Sequence, residues 1–250
     1  MLQGLYESAS GLLAMQQLEQ DAAVNTANAN TPGFQQEIPA FNEFLAGQAE
    51  LVAGNQVTGT VGGFALGVGV QAVESNTTPG AIVVTGRNLD VAPSPGVWLE
   101  VRTPAGVLAT RDGQLQVNQA GVLVSSTGYP VVAVGGGIIR TQGATGLGIA
   151  TDGTVSQNGA AIGQILLQTV GGNAQDLRPS AQAGLYTVGA GARLAAGGGV
   201  TPGAYVASNA TLNRTAVQLE QALSGYQANE EVQNVAAQDF MSLMSRGLTP

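Results

Sequence analysis

Residues 25–34 read Asn25-Thr26-Ala27-Asn28-Ala29-Asn30-Thr31-Pro32-Gly33-Phe34, and this stretch marks where one kind of structure ends and another begins. Asn and Thr side chains compete with a helical backbone for its hydrogen bonds. Pro32 drives Thr31 out of helical geometry, and Pro32-Gly33 is a turn pair. Upstream, over about residues 3–28, no proline intervenes, and apolar residues fall at Leu5, Ala9, Leu12, Met15, Leu18 and Ala22. Spacings of three and four predict an amphipathic helix that the Asn/Thr/Pro run then stops. Gly11 is an interior weak point in that helix, worth about 1 kcal/mol.

The far end of the chain repeats the pattern at greater length. Over about 209–246, Leu212, Ala216, Leu219, Leu223, Tyr226, Ala237, Phe240 and Met244 fall on one register, with Glu230 and Gln233 at the two intervening positions. Alternating steps of four and three are the heptad seam of a coiled coil. Ser208 or Asn209 is a candidate cap for its start. Gly225 is a flaw in mid-helix.

Between the helices the pattern is β. Val97, Leu99 and Val101 alternate with Trp98, Glu100 and Arg102, the period of a half-buried strand. Turn signals recur at Pro104-Ala105-Gly106, Arg111-Asp112-Gly113, Gln119-Ala120-Gly121, Ser126-Thr127-Gly128 and Asp152-Gly153, which predicts a meander of short antiparallel strands. Gly135-Gly136-Gly137 and Gly197-Gly198-Gly199 lack the lysine and the following helix of a phosphate loop, and are expected as flexible turns. Residues 47–65 are rich in Gly, Gln, Asn and Thr and are expected as a loop or extended arm. The expected fold class is α+β: separate N- and C-terminal helices around a Gly-rich antiparallel β domain. The expected division is 1–35 (helix and turn), 36–65 (arm), 66–207 (β domain) and 208–250 (helix).

Composition narrows the chemistry. The 250 residues include no Cys and no His, and all eight basic residues are Arg. Thiol, imidazole and amine catalysis and Cys/His zinc sites are therefore excluded. No cofactor is expected. The 37 glycines are about twice the usual share. The net charge is −8. Residues 1–50 carry Glu7, Glu19, Asp21, Glu37, Glu43 and Glu50 with no basic residue, while acidic residues and arginines balance over 51–207. An acidic chain without a basic patch is not expected to bind nucleic acid. The start, MLQGLYESAS, lacks the basic and apolar regions of a cleaved signal, and no run of about 18 apolar residues is present to insert in a membrane.

Each terminal helix offers only a thin apolar seam. A buried Leu or Phe contributes about 1.5–3 kcal/mol, against an ordering cost of about 1–2 kcal/mol per backbone residue. The expectation is that the helices are weakly ordered alone and gain burial from neighbouring subunits. The alternative is an intramolecular helical hairpin.

Residues 23–34, AVNTANANTPGF, resemble the N-terminal signature of the flagellar basal-body rod protein family at Ala27, Asn28, Asn30, Thr31, Gly33 and Phe34. At the other end SGYQANEEV resembles the family's C-terminal run at Tyr226, Ala228, Asn229 and Val232, with Ser224 where an Arg is usual. Residues 85–92, 111–132, 151–156 and 207–212 are similar to further family segments in the same order. Where the family often has a Gly-x-Gly-Phe-Phe strand, this chain has SPGVWLEV.

The resemblance implies a structural subunit of the flagellar rod or hook and not an enzyme. Its terminal helices would form a coiled-coil inner tube around a channel, with the β domain outside, in a hollow, torque-transmitting axial filament of the basal body. The chain would be exported unfolded through the flagellar type III apparatus, without a cleaved signal. Its partners would be copies of itself and other rod and hook proteins. The expected subunit interface comprises Leu5, Leu12, Ala27, Asn28, Asn30, Thr31, Pro32, Gly33, Phe34, Leu212, Leu219, Leu223, Tyr226, Asn229 and Phe240.

Two other classes are open on residues alone. Asp112 and Asp152 are the candidate carboxylates of a peptidoglycan-cleaving enzyme, although both lie in Asp-Gly turns where Asp is favoured for local reasons. A secreted adhesin or phage-tail-like protein would share the Gly-rich strands but has no need of the two terminal helices. Arg87, Arg102 and Arg111 are expected in ion pairs on the β domain, each worth about 0–1 kcal/mol.

Overall fold

The computed structural model describes residues 2–53, 56–171, 177–189, 193–196 and 198–247. Two helices flank the chain, α1 (Leu2–Ala27) and α2 (Leu212–Gly247), with strands between them. By internal contacts the chain forms two units. One comprises Met1–Ala23, Pro39–Val73 and Asn213–Pro250; the other comprises Val24–Ile38 and Glu74–Leu212. The fold is α+β, and every described strand pairing is antiparallel.

The first unit holds nearly all of both helices and most of a two-stranded ribbon of β1 (Glu37–Ala53) and β2 (Gln56–Ser75). The stretch anticipated as an arm or loop thus carries two long strands. On α1, Ala14 and Asp21 are buried, and Ser10 Oγ accepts the Val68 amide of β2 at 3.1 Å. A hollow of about 410 Å3 lies between this face of α1 and Val68–Val70.

The second unit contains the remaining strands. In order they are β3 (Ile82–Val84), β4 (Val91–Pro93), β5 (Val97–Thr103), β6 (Gly106–Thr110), β7 (Gln116–Val117), β8 (Leu123–Val124), β9 (Leu147–Ile149) and β10 (Thr154–Gln157). There follow β11 (Ala160–Gln164), β12 (Leu167–Gly171), β13 (Leu177–Pro179), β14 (Leu185–Val188), β15 (Arg193–Ala196), β16 (Val200–Pro202) and β17 (Ala204–Val206). All five turn signals fall between strands. Pro104-Ala105 joins β5 to β6, and Asn158-Gly159 joins β10 to β11 with both residues at positive φ (52° and 84°), the conformation of a tight hairpin.

Consecutive strands pair as hairpins at β5–β6, β7–β8, β10–β11 and β13–β14, as a meander requires. The largest sheet is not a simple meander. Its order is β13-β14-β6-β5-β12-β15, so the chain leaves after β6 and returns on both sides. The inward residues Val97, Leu99, Val101, Leu108 and Leu185 join Leu115, Leu123, Val131, Ile139, Val155, Ile165 and Leu167 in one core. Trp98 lies on the opposite face but is also buried, against Tyr186, Ala109 and Leu177. The period-two pattern at 97–102 therefore underestimates burial, because this part of the sheet is covered on both faces.

Candidate assembly surface and chain junction

The two helices pack against each other within the first unit. Gly11 of α1 faces Asn229 of α2, and Gly225 of α2 faces Met15 of α1. As one number rises by four the other falls by four, so the helices run antiparallel in a matched register. A Cβ at Gly11 would lie 2.8 Å from Asn229 Nδ2, and one at Gly225 would lie 2.5 Å from Met15 Sδ. Each glycine is thus the recess for a side chain of the partner helix, which accounts for two residues that look like flaws in isolation. On α2 the inward face is small and polar: Thr215 and Ala222 are buried, and Gly225 and Asn229 are half-buried.

The heptad seam of α2 lies elsewhere. Leu212, Leu219, Leu223 and Tyr226 are exposed, at 57, 39, 51 and 46%. At 100° per residue they are centred roughly 90° around the helix from the seam that meets α1. Val217, Val232, Val235 and Met241 add further exposed apolar surface. Asn229 belongs to the inward face. Leu12 is half-buried. The side chains of Leu5 and Phe240 lie outside the described residues. No described helix is long and apolar enough to cross a membrane.

The Asn/Thr/Pro/Gly run lies in the second unit and is a candidate site by itself. Asn28 stabilises the helix end: its Nδ2 donates to Val24 O at 2.9 Å and its Oδ1 accepts from Thr31 Oγ1 at 3.0 Å. Ala27 and Asn30 are exposed, and Thr31 and Pro32 are half-buried. Gly33 has φ 69°, and its amide donates to Val206 O at 2.8 Å. A Cβ there would lie 2.2 Å from the carbonyl carbon of Arg111. Only glycine meets both conditions. Phe34 is then buried to 1% exposure.

Beyond Phe34 the chain threads a hydrogen-bonded junction that pattern reading missed. Tyr186 Oη accepts the Gln35 amide at 2.7 Å, and Asn209 Oδ1 accepts the Gln36 amide at 2.6 Å. Asn25 holds Glu37 by two bonds: Nδ2 donates to Glu37 O at 2.8 Å, and Oδ1 accepts the Glu37 amide at 2.7 Å. Asn209 Nδ2 donates to Asn76 O and Thr78 O, both at 2.7 Å. Asn209 is thereby engaged away from α2, while Ser208 Oγ accepts the Ala210 amide at 3.1 Å. Beneath the junction Tyr186 meets Trp98 edge-to-face at 5.3 Å, and the Arg111 guanidinium lies 5.6 Å above the Trp98 ring. Burial pushes the Tyr186 hydroxyl well above its usual range and lowers Arg111.

The arginine expectation needs correction. Among the described residues Arg87 alone of the three pairs with a carboxylate, Asp90, at 3.7 Å. Arg102 donates to Gly136 O, and the buried Arg111 donates to Pro93 O and Ser94 O. Backbone carbonyls take the place of acidic partners.

The two carboxylates considered for catalysis serve separate turns. Asp112 is buried; Oδ1 accepts the Gln114 amide, and Oδ2 accepts the Ser126 amide and hydroxyl at 3.1 and 2.6 Å. Burial pushes its carboxyl up against the pull of those hydrogen bonds. Asp152 is exposed, and the Thr154 amide and hydroxyl hold its carboxyl below the usual range. The hollow beside α1 and another of about 370 Å3 beside Gly86, Arg87 and Gly146 have no carboxylate in their lining. No cluster of metal-ligating side chains occurs among the described residues.

Residues 96–157, which span β5 to β10, match the family of flagellar hook protein FlgE/F/G D1 domains. Over part of its length the chain is similar to flagellar basal-body rod proteins. It is 33% identical over 163 residues to FlgF of Rhizobium meliloti (strain 1021), covering 65% of this chain and 63% of that one. It is 31% identical over 163 residues to FlgG of Bacillus subtilis (strain 168), covering 62 and 61%. It is 36% identical over 146 residues to FlgF of Salmonella typhimurium (strain LT2), covering 57 and 53%. The matches therefore span between about half and two-thirds of these relatives.

Proposed function

We propose that this chain is a structural, non-catalytic subunit of the bacterial flagellar rod, assembling through α1 and α2 with copies of itself and with other rod and hook proteins. The observation that carries this reading is the position of the α2 heptad seam. Leu212, Leu219, Leu223 and Tyr226 remain exposed although α2 already packs on α1 through a different face. A helix with one seam filled and another open is suited to lateral assembly into a coiled-coil layer. The similarity to FlgF and FlgG basal-body rod proteins supports a basal-body setting, and in this reading the chain is part of a hollow, torque-transmitting axial filament. Exposed Ala27 and Asn30 are the part of the helix-ending turn available to neighbours, and Leu5, Leu12 and Phe240 remain in the proposed interface.

In this reading the assembly core is 1–35 and 208–250, joined through 36–65 to the β domain at 66–207. In this reading the subunit reaches the rod through the flagellar type III export apparatus. The test is to purify basal bodies from the native cell and from a strain lacking the gene. Several copies per basal body, with hookless mutant cells, are expected. Absence from basal bodies together with normal motility in the mutant would remove the proposal.

A further inference from the structure

Three separate passes of chain meet in the second unit at one amide side chain. The first pass is 33–37, which follows α1. The second is 74–78, which follows β2. The third is 206–210, which precedes α2. Direct backbone bonds link them sparsely: Gly33 N to Val206 O at 2.8 Å, Asn76 N to Gln36 O at 2.8 Å, and Asn209 N to Phe34 O at 3.2 Å. Asn209 closes the set. Its single acceptor takes the Gln36 amide, and its two N–H bonds go to Asn76 O and Thr78 O. A further contact to Gln35 Oε1 is longer, at 3.4 Å.

The geometry points to Asn209 as the positioning residue that holds these three passes in one arrangement. The need is for one acceptor and two donors in a plane, on a side chain short enough to stay at the crossing. Asp supplies acceptors only when ionised, and would set a negative charge against the carbonyls of Asn76 and Thr78. Leu and Ala supply neither function. Gln carries the same groups one methylene farther out. The inference stands apart from the flagellar reading, since it concerns how this chain holds its own crossings.

Amide hydrogen exchange on the full-length protein tests it. Asn209→Ala is expected to speed exchange of the Gln36 amide about 10-fold or more. The core amides of Leu99, Leu123 and Ile165 should keep their wild-type rates. Asn209→Asp is expected to keep the Gln36 amide protected but loosen the chain at 76–78 at neutral pH. Lowering the pH below about 4 should restore protection there, because the protonated carboxyl regains a donor. That pH profile decides the matter if the Ala variant does not fold. A uniform rise across the core, or unchanged exchange at Gln36 in the Ala variant, would overturn the inference, as would a pH-independent Asp variant.

Discussion

Gly11 on α1 receives the side-chain amide of Asn229 on α2, with no room for even a methyl group between them at the present separation. Four residues on, Met15 fills the corresponding recess at Gly225. The pair of contacts sets both the direction and the register of the helices. It also decides which face of α2 is left outward.

Enlarging either recess residue should part the helices. Gly11→Leu and Gly225→Leu are each expected to destabilise the first unit by about 1–3 kcal/mol, read as a lower midpoint of helix unfolding by circular dichroism. Gly11→Ala combined with Asn229→Gly should recover part of the loss seen in Gly11→Ala alone. Strict additivity of the two changes would show that the residues do not interact.

The outward seam should behave in the opposite way. Leu219→Glu with Leu223→Glu removes exposed apolar side chains, so helix content and melting of the dilute monomer should change by no more than about 0.5 kcal/mol per site. Self-association should weaken at least about 100-fold if both leucines are buried between copies. Sedimentation of the two proteins over a concentration series measures this, and equal association would show that another surface is used.

Asp21 is buried on α1; Gln17 Nε2 donates to its Oδ1 at 2.8 Å, and its Oδ2 has no hydrogen-bond partner among the described residues. Burial raises its carboxyl above the usual value, more than the Gln17 bond lowers it. The folded state therefore holds the proton more tightly than the unfolded state. This contribution to stability is fully present below the unfolded value, near 3.9, and is lost as pH rises through the folded one. Asp21→Asn should flatten that fall and stabilise the first unit at pH 7 by about 1–3 kcal/mol, the scale of one unsatisfied buried polar atom. Denaturation curves at pH 4 and pH 7 check both the sign and the size.

Gly33→Ala should be among the most damaging single-methyl changes in the second unit. The left-handed conformation costs an L-residue about 1–2 kcal/mol, and the new Cβ meets the Arg111 backbone, which has no rotamer with which to yield. A loss above about 3 kcal/mol is expected, similar to Phe34→Ala at about 3–5 kcal/mol. Gly96→Ala is a control with positive φ but open space around it, and it should lose only the conformational part. Equal losses for Gly33→Ala and Gly96→Ala would show that the Arg111 contact does not matter.

Much of this protein was determined by local sequence. Spacings of three and four place both helices to within about three residues of their observed ends, because a helix repeats every 3.6 residues whatever it packs against. The Pro32-Gly33 pair and the Asp-Gly and Ala-Gly turns punctuate the chain by restricting or freeing backbone angles, which is also a local effect. Tertiary structure alone decided which seam of α2 faces inward. The heptad count registers large apolar side chains, but close approach of two helices selects small ones, so the inner face reads Thr215, Ala222, Gly225, Asn229 and is silent in a hydrophobicity pattern. The junction was hidden for a related reason. Asn25, Gln35, Gln36 and Asn209 are polar and look solvated, yet they are needed where passes up to 174 residues apart cross and leave backbone groups to be satisfied. Trp98 and Arg111 were likewise assigned only by what covers them, because burial on the second face of a sheet depends on the path of distant chain.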